Sequence, residues 1–75
     1  MIKEKDVWET AREYGGVSVR YGQKDIYEII LPEHKQCCVC TGTLDEWTRK
    51  TAKTISDRCY GVQTLEALRR VIGGL

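Results

Sequence analysis

The spacing of apolar residues along this chain changes from helical to alternating and back to helical. The stretch KDVWETAREYGG has apolar residues at helical spacing and ends in two glycines, which predicts a first helix. Three shorter stretches, VSVRYG, DIYEIILP and QCCVCT, predict strands, and Pro32 closes the second of them. Thr43 and Glu46 form a capping box before LDEWTRKTAKTISDRCYG, which predicts a long second helix ending at Gly61. The last stretch, VQTLEALRRVIGG, predicts a third helix.

These elements predict an α+β fold: a three-stranded antiparallel meander packed by helices, in the order α-β-β-β-α-α. The first hairpin is predicted to have a three-residue loop over 23–25, which pairs Val19 with Ile29 and turns both towards the core. Ile26 and Ile30 then lie on the opposite face of the second strand. The third strand is apolar on both faces as well. Because such a strand normally lies between two covered faces, either the helices are divided between the faces or one face is left for a partner.

The face of the predicted sheet that carries Ile26 and Ile30 is the candidate interaction surface. We expect the long second helix to cover the face with Val19 and Ile29. If the first helix joins it there, the short third helix alone has to cover the opposite face. A small protein seldom leaves such an apolar patch in water. The pattern therefore predicts contact with an unidentified protein partner, or self-association, through this face.

The aromatic residues are predicted to be core anchors, with one exception. Tryptophan and tyrosine usually anchor packing when they fall on an apolar stripe. Five of them fall on predicted core stripes: Trp8, Tyr14, Tyr21, Tyr27 and Trp47. Tyr60, next to the glycine that ends the predicted second helix, is the exception, and we include it in the candidate interaction surface.

The stretch HKQCCVC, residues 34–40, is the part of the sequence most similar to a metal site. Cys37 and Cys40 have the spacing of zinc ligands. His34 lies three residues upstream, and Cys59 could complete a Cys₃His set. In an extended strand, however, Cys37 and Cys40 point to opposite faces, whereas tetrahedral zinc needs its sulfurs about 2.3 Å from the ion. We therefore expect neither a metal nor another cofactor, and these four residues are weak candidates.

Catalysis by the same cysteines is not what the sequence predicts. A reactive thiol needs a helix N-terminus or a cationic neighbour, and these thiols lie among valine and other cysteines. His34 and Cys37 are the one conceivable pair of base and nucleophile, and no third group is placed to orient them. The sequence also has no paired carboxylates and no phosphate-binding loop. We therefore expect no enzymatic activity, and we expect the thiols to fill a buried strand.

The basic stretch TRKTAK, residues 48–53, indicates an alternative function. The order α-β-β-β-α and this stretch resemble the double-stranded-RNA-binding domain, a family whose second helix opens with a KKxAK-type cluster on the phosphates. The resemblance covers the element order and four residues, and here the cluster lies almost two turns inside the helix. It implies a weak nucleic-acid-binding module, although the spacing of Glu46 and Lys50 is typical of a solvated helix face. The candidate residues are Arg49, Lys50, Lys53, Arg69 and Arg70.

The composition narrows the class of protein further. A formal net charge of +1 gives no bulk attraction to nucleic acid or to an anionic membrane, and no apolar run approaches the roughly 18 residues of a membrane span. The N-terminal stretch alternates charged and apolar residues, unlike a signal peptide. Four cysteines in such a chain are expected to be free thiols in a reducing, cytoplasmic environment.

Together these features predict a single small globular domain over residues 1–75. We expect an intracellular, non-catalytic module that works by protein–protein contact. Small accessory or regulatory proteins, including many carried by phages and mobile elements, have this profile. Weak binding of nucleic acid by the second helix is the alternative, and no membrane partner is expected.

Overall fold

The computed structural model describes residues 2–22 and 25–75. Within these ranges it has three helices, α1 (Glu4–Glu13), α2 (Glu46–Ile55) and α3 (Leu65–Gly73). The four strands of the same ranges are β1 (Val17–Tyr21), β2 (Ile26–Ile30), β3 (Gln36–Cys40) and β4 (Cys59–Gly61). The α+β class predicted from the sequence is confirmed, with the element order α-β-β-β-α-β-α. No helix in the described part of the chain is long and apolar enough to cross a membrane.

The sheet has four strands in the order β1-β2-β3-β4, whereas the sequence predicts a three-stranded antiparallel meander. β1, β2 and β3 are antiparallel as predicted, but β4 lies parallel to β3. The sequence pattern assigns the residues of β4 to the second helix, and this is wrong because α2 ends at Ile55 and Ser56 is extended. Arg58 O then accepts a hydrogen bond from Cys38 N–H at 2.7 Å. The segment around β4 thus satisfies main-chain groups on the outer side of β3.

Side-chain caps fix where α2 and α3 begin. Asp45 accepts a hydrogen bond from Thr48 N–H at 2.7 Å at the start of α2. Thr64 accepts one from Ala67 N–H at 3.1 Å at the start of α3. The cap predicted at Thr43 therefore lies at Asp45 instead, and α2 is shorter at both ends than the sequence pattern predicts.

The register between β1 and β2 differs by one residue from the prediction. Val19 lies opposite Glu28 rather than opposite Ile29. Residues 23–24 of the predicted loop lie outside the described residues. Because a shift of one residue moves every side chain of a strand to the other face, Val19 lies on the same face as Ile30.

Different helices cover the two faces of the sheet. α1 and α3 pack on the face formed by Tyr27, Ile29, Cys37 and Val39. α2 packs on the opposite face, over Ile26, Cys38 and Cys40. The prediction that the second helix covers the face of Ile29 is therefore wrong. Since β2 and β3 are apolar on both faces, their sequences are compatible with α2 on either side.

Candidate interaction surface

α2 covers one side of its face of the sheet and leaves the β1 side exposed. The helix is ten residues long and packs on β2, β3 and β4. Three large apolar side chains beside it are exposed: Val19 at 41%, Tyr21 at 38% and Ile30 at 38%. Val17, which is half-buried, continues the same row along β1. We call these four residues, Val17, Val19, Tyr21 and Ile30, the open face.

Trp47 lies across a groove from the open face. The buried residues of α2 are Thr48 and Ala52, and the side chain of Trp47 is 58% exposed. Together with Tyr21 and Ile26, Trp47 lines a groove of about 480 Å³. The prediction of Trp47 as a core anchor is wrong because the helix turns Thr48 and Ala52, rather than Trp47, towards the sheet.

Of the five aromatic residues predicted as core anchors, Tyr27 alone is buried. The other four are exposed: Trp8, Tyr14, Tyr21 and Trp47. Trp8 belongs to α1 and is 46% exposed, on the face of β1 opposite the open face, beside Ser18 and Arg20. Exposed apolar side chains therefore lie on both faces of β1.

The three residues predicted for the interaction surface do not form one surface. Ile30 belongs to the open face. Ile26 is 1% exposed beneath α2 and is therefore part of the core, which corrects its prediction as a surface residue. Tyr60 is exposed on β4 opposite Val39, and so lies on the side of α1 and α3 at the other edge of the sheet.

One carboxylate adjoins the open face. Tyr21 Oη donates a hydrogen bond to Glu28 Oε1 at 2.7 Å, between neighbouring strands. This hydrogen bond raises the pKa of Tyr21 above its usual value. Glu28 is also directly opposite Val19 in the strand pair. The open face therefore combines apolar contact area with one oriented carboxylate.

The four cysteines are free and are divided between the two faces of the sheet. Cys37 packs in the core beneath α1 and α3, whereas Cys38 and Cys40 lie with Cys59 beneath α2. Burial raises the pKa of Cys37 to about 11 and also raises the pKa of Cys38 and Cys40. Burial therefore disfavours the thiolate, which is the form that acts as a nucleophile or a metal ligand, in all three groups.

The fold does not assemble the Cys₃His set that the spacing suggests. Cys37 and Cys40 point to opposite faces, as predicted for a strand. His34 lies on the exposed turn between β2 and β3 with a positive φ of 61°. Within residues 2–22 and 25–75, no group of three or more His, Cys, Asp or Glu side chains is arranged to hold a metal ion.

The basic residues predicted for nucleic-acid binding lie on two sides of the sheet. Arg49, Lys50 and Lys53 belong to α2, and Arg69 and Arg70 belong to α3. Lys50, Arg69 and Arg70 each lie 3.3 to 3.4 Å from a carboxylate. Because α2 and α3 cover opposite faces, the five residues do not combine into one basic patch.

A polar cleft lies between the β2–β3 turn and the C-terminal end of α2. It has a volume of about 530 Å³, and Lys35, Lys53 and Arg58 are among its lining residues. Asp57 lines the same cleft, and Lys35 lies 4.0 Å from Glu33, so part of the positive charge is offset. Lys53 and Arg58 are close in the sequence, whereas Lys35 comes from the β2–β3 turn, and its proximity to the other two has no signal in the sequence.

No protein-family model, curated protein or solved structure matches the chain.

Proposed function

We propose that this domain is a non-catalytic module that binds another protein through the open face. The observation that carries the proposal is that α2 leaves the open face uncovered and that Trp47, 58% exposed, lies beside it. Single exposed apolar residues are ordinary on protein surfaces, whereas a contiguous group usually marks an interaction site. Here the group extends across two strands and a groove.

The side chains around the groove suit a protein partner. Tryptophan and tyrosine contribute binding energy in interfaces more often than most residues do. Trp47 and Tyr21 stand at the groove, and Ile26 gives it an apolar lining. A partner that inserts an apolar side chain between the two aromatic rings would bury both of them. Glu28, which lies opposite Val19 and already accepts a hydrogen bond from Tyr21, would accept a further hydrogen bond from that partner or attract a basic residue.

The state of the cysteines supports the non-catalytic part of the proposal. Burial holds the thiol of Cys37 in its protonated form by raising its pKa to about 11. Four free thiols are also usual in a reducing compartment. We therefore propose a cytoplasmic accessory or regulatory module, a class that phages and mobile elements also carry.

Site-specific photo-cross-linking in an extract of the source cells tests this proposal. A photoreactive phenylalanine analogue replaces Trp47 in one sample and Glu66 in the control, since Glu66 lies on α3 at the other side of the sheet. We expect a discrete adduct from position 47 and none from position 66. Unlabelled wild-type protein should compete for the adduct, and the Ile30→Lys variant should compete poorly. Equal adducts from both positions, or equal competition by Ile30→Lys, would contradict the proposal.

Weak nucleic-acid binding near α2 is the second candidate function, and the polar cleft is the observation that favours it. Lys35, Lys53 and Arg58 bring positive charge to one end of α2. So few phosphate contacts give weak affinity with only a modest salt dependence, because the slope scales with the number of phosphates neutralised. Titrations with duplex RNA and duplex DNA at several salt concentrations test it. The double variant Lys53→Glu and Arg58→Glu should abolish binding, while Arg69→Glu with Arg70→Glu should retain it.

A further inference from the structure

The hydrogen bonds between β2 and β3 determine which way the main chain of β2 points. Thr41 N–H donates to Asp25 O at 2.9 Å, just beyond one end of the strand pair. Leu31 N–H donates to Lys35 O at 2.8 Å, just beyond the other end. In antiparallel strands, hydrogen-bonded residues alternate with residues that do not bond to that neighbour. The odd-numbered residues of β2 therefore direct their N–H and C=O groups to β3, and the even-numbered residues direct theirs to β1.

The same alternation decides which groups of β1 are free. The even-numbered residues of β2 lie opposite Val17, Val19 and Tyr21, which therefore direct their main-chain groups inwards to β2. Ser18 and Arg20 direct theirs outwards. β1 is at the end of the sheet, so within the described part of the chain these outward groups have no neighbouring strand. Such a row of main-chain donors and acceptors is a template for another strand.

β1 lacks most of the features that keep an edge strand unpaired. Protected edges commonly carry a charged side chain, a proline or a bulge. VSVRY has no lysine or proline and pairs with β2 without a bulge, and its one charged residue, Arg20, is paired with Glu4 and Asp25. Val19 and Tyr21 are exposed on one face of this strand, and Trp8 is exposed on the other. A strand added at this edge would cover part of all three side chains.

We infer that β1 pairs in an antiparallel manner with β1 of a second copy of this chain, about a two-fold axis at Val19. This inference rests on the proposed function and names the partner for the β1 side of the open face. Val19 of one copy lies opposite Val19 of the other at the axis. Ser18 of each copy lies opposite Arg20 of the other copy, which gives two equivalent pairs. Because Ser18 and Arg20 carry the outward main-chain groups, this register makes four hydrogen bonds and leaves Val19 at the close, non-hydrogen-bonded position. Val17 then opposes Tyr21, so the apolar rows of two open faces join.

The charges of β1 are compatible with its own copy. Arg20 is the charged residue of the strand, and in this register it faces Ser18 rather than another arginine. Its guanidinium lies 3.8 Å from Glu4 and 4.0 Å from Asp25, so its charge is already balanced within the chain. The two-fold axis therefore brings apolar side chains together on the open face. On the opposite face of β1 it places no unbalanced like charges next to each other. Self-complementarity of this kind is what a two-fold interface requires.

Sedimentation of the full chain over a wide range of concentrations tests the inference. We expect a reversible equilibrium between monomer and dimer. Ser18→Pro removes an outward N–H donor, twice in each dimer, and should weaken association by about tenfold or more. It should leave the monomer folded, since proline is tolerated on a strand edge where the N–H is not bonded. Ser18→Ala keeps the donor and is the matched control, which should associate like the wild type.

Two variants at Val19 test the register without relying on proline. Val19→Lys places like charges opposite each other at the axis and should also weaken the dimer. Val19→Cys should form a disulfide-linked dimer under mild oxidation, far faster than Glu66→Cys on the opposite side of the molecule. Equal cross-linking at both positions, or unchanged association in both Ser18→Pro and Val19→Lys, would overturn the inference. A wild type that stays monomeric yet forms a heterologous adduct at position 47 would overturn it too, while leaving the proposed function intact.

Discussion

Ile26 and Ile30 lie on the same face of β2, four residues apart, yet Ile26 is 1% exposed and Ile30 is 38% exposed. Ile26 belongs to the core cluster beneath α2, and Ile30 is outside it. The boundary of the cover that α2 provides therefore falls within a single strand. This boundary separates the core from the open face, and it can be tested with substitutions of the same type on either side.

Ile26→Lys should unfold the domain or cost more than about 4 kcal/mol, because it buries an unpaired charge. Ile30→Lys should cost less than about 1 kcal/mol, since its ammonium group can reach water. Chemical denaturation followed by circular dichroism measures both. Similar losses for the two variants would mean that the boundary of the open face has been drawn in the wrong place.

Trp47→Ala should cost less than about 1 kcal/mol of folding free energy, because most of this side chain is already in water. Leu68→Ala is the comparison in the core and should cost about 2–5 kcal/mol. The two variants should rank in the opposite order as unlabelled competitors in the photo-cross-linking assay. Trp47→Ala should compete poorly for the adduct, and folded Leu68→Ala should compete like the wild type. A loss of about 3 kcal/mol or more for Trp47→Ala would show that this tryptophan is a structural anchor.

Gly16→Ala should destabilise the domain by about 1–3 kcal/mol through overpacking. A Cβ at this position would collide with the carbonyl oxygen of Ile30 and with the side chain of Leu31. Gly61→Ala is the matched control, because a Cβ there would meet Leu44 Cδ2 at an ordinary distance of 3.6 Å. Thermal denaturation of both variants checks the difference. Equal melting temperatures would mean that β1 does not approach β2 as closely at this end.

Cys37→Ala should reduce the loss of stability at alkaline pH. Burial raises the pKa of this thiol from an ordinary value of 9.0 to about 11, so the folded state holds the proton more tightly than the unfolded state. The contribution of the protonated Cys37 thiol to the free energy of unfolding is therefore complete below pH 9. It is lost as the pH rises to about 11, which lowers the free energy of unfolding by about 2–3 kcal/mol. Urea denaturation at several pH values across this range measures the free energy of unfolding. This free energy should fall less between pH 9 and 11 for Cys37→Ala than for Cys59→Ala, whose thiol is half-buried. An identical pH dependence of the free energy of unfolding in the two variants would contradict the burial of Cys37.

Much of the fold follows from short-range patterns in the sequence. The alternation of VSVRY and the helical spacing of LEALRRVIG involve residues within one or two turns of each other, and both segments have the predicted structure. The free-energy differences that favour these elements arise locally, from side-chain spacing and caps. The hydrophobic pattern of the sequence predicts the residues of the open face and the groove less well. Ile30 is predicted as a surface residue and is exposed, whereas Val19 and Trp47 are predicted as core and are exposed as well.

The remaining features depend on pairings between distant segments. VSVRY alternates equally well in either register with β2, and the register that pairs Val19 with Glu28 rather than with Ile29 places Val19 on the exposed face. Cys59 continues the helical spacing of Trp47 and Ile55 in the sequence. Residues 59–61 are nevertheless extended, because they pair with the open edge of β3, a segment about twenty positions earlier. β2 and β3 are apolar on both faces, so α2 could pack on either face of the sheet. It packs on the face that carries Ile26, and α1 and α3 pack on the opposite face. In each case the local sequence is compatible with two alternatives, and the free energy of packing the whole chain selects one.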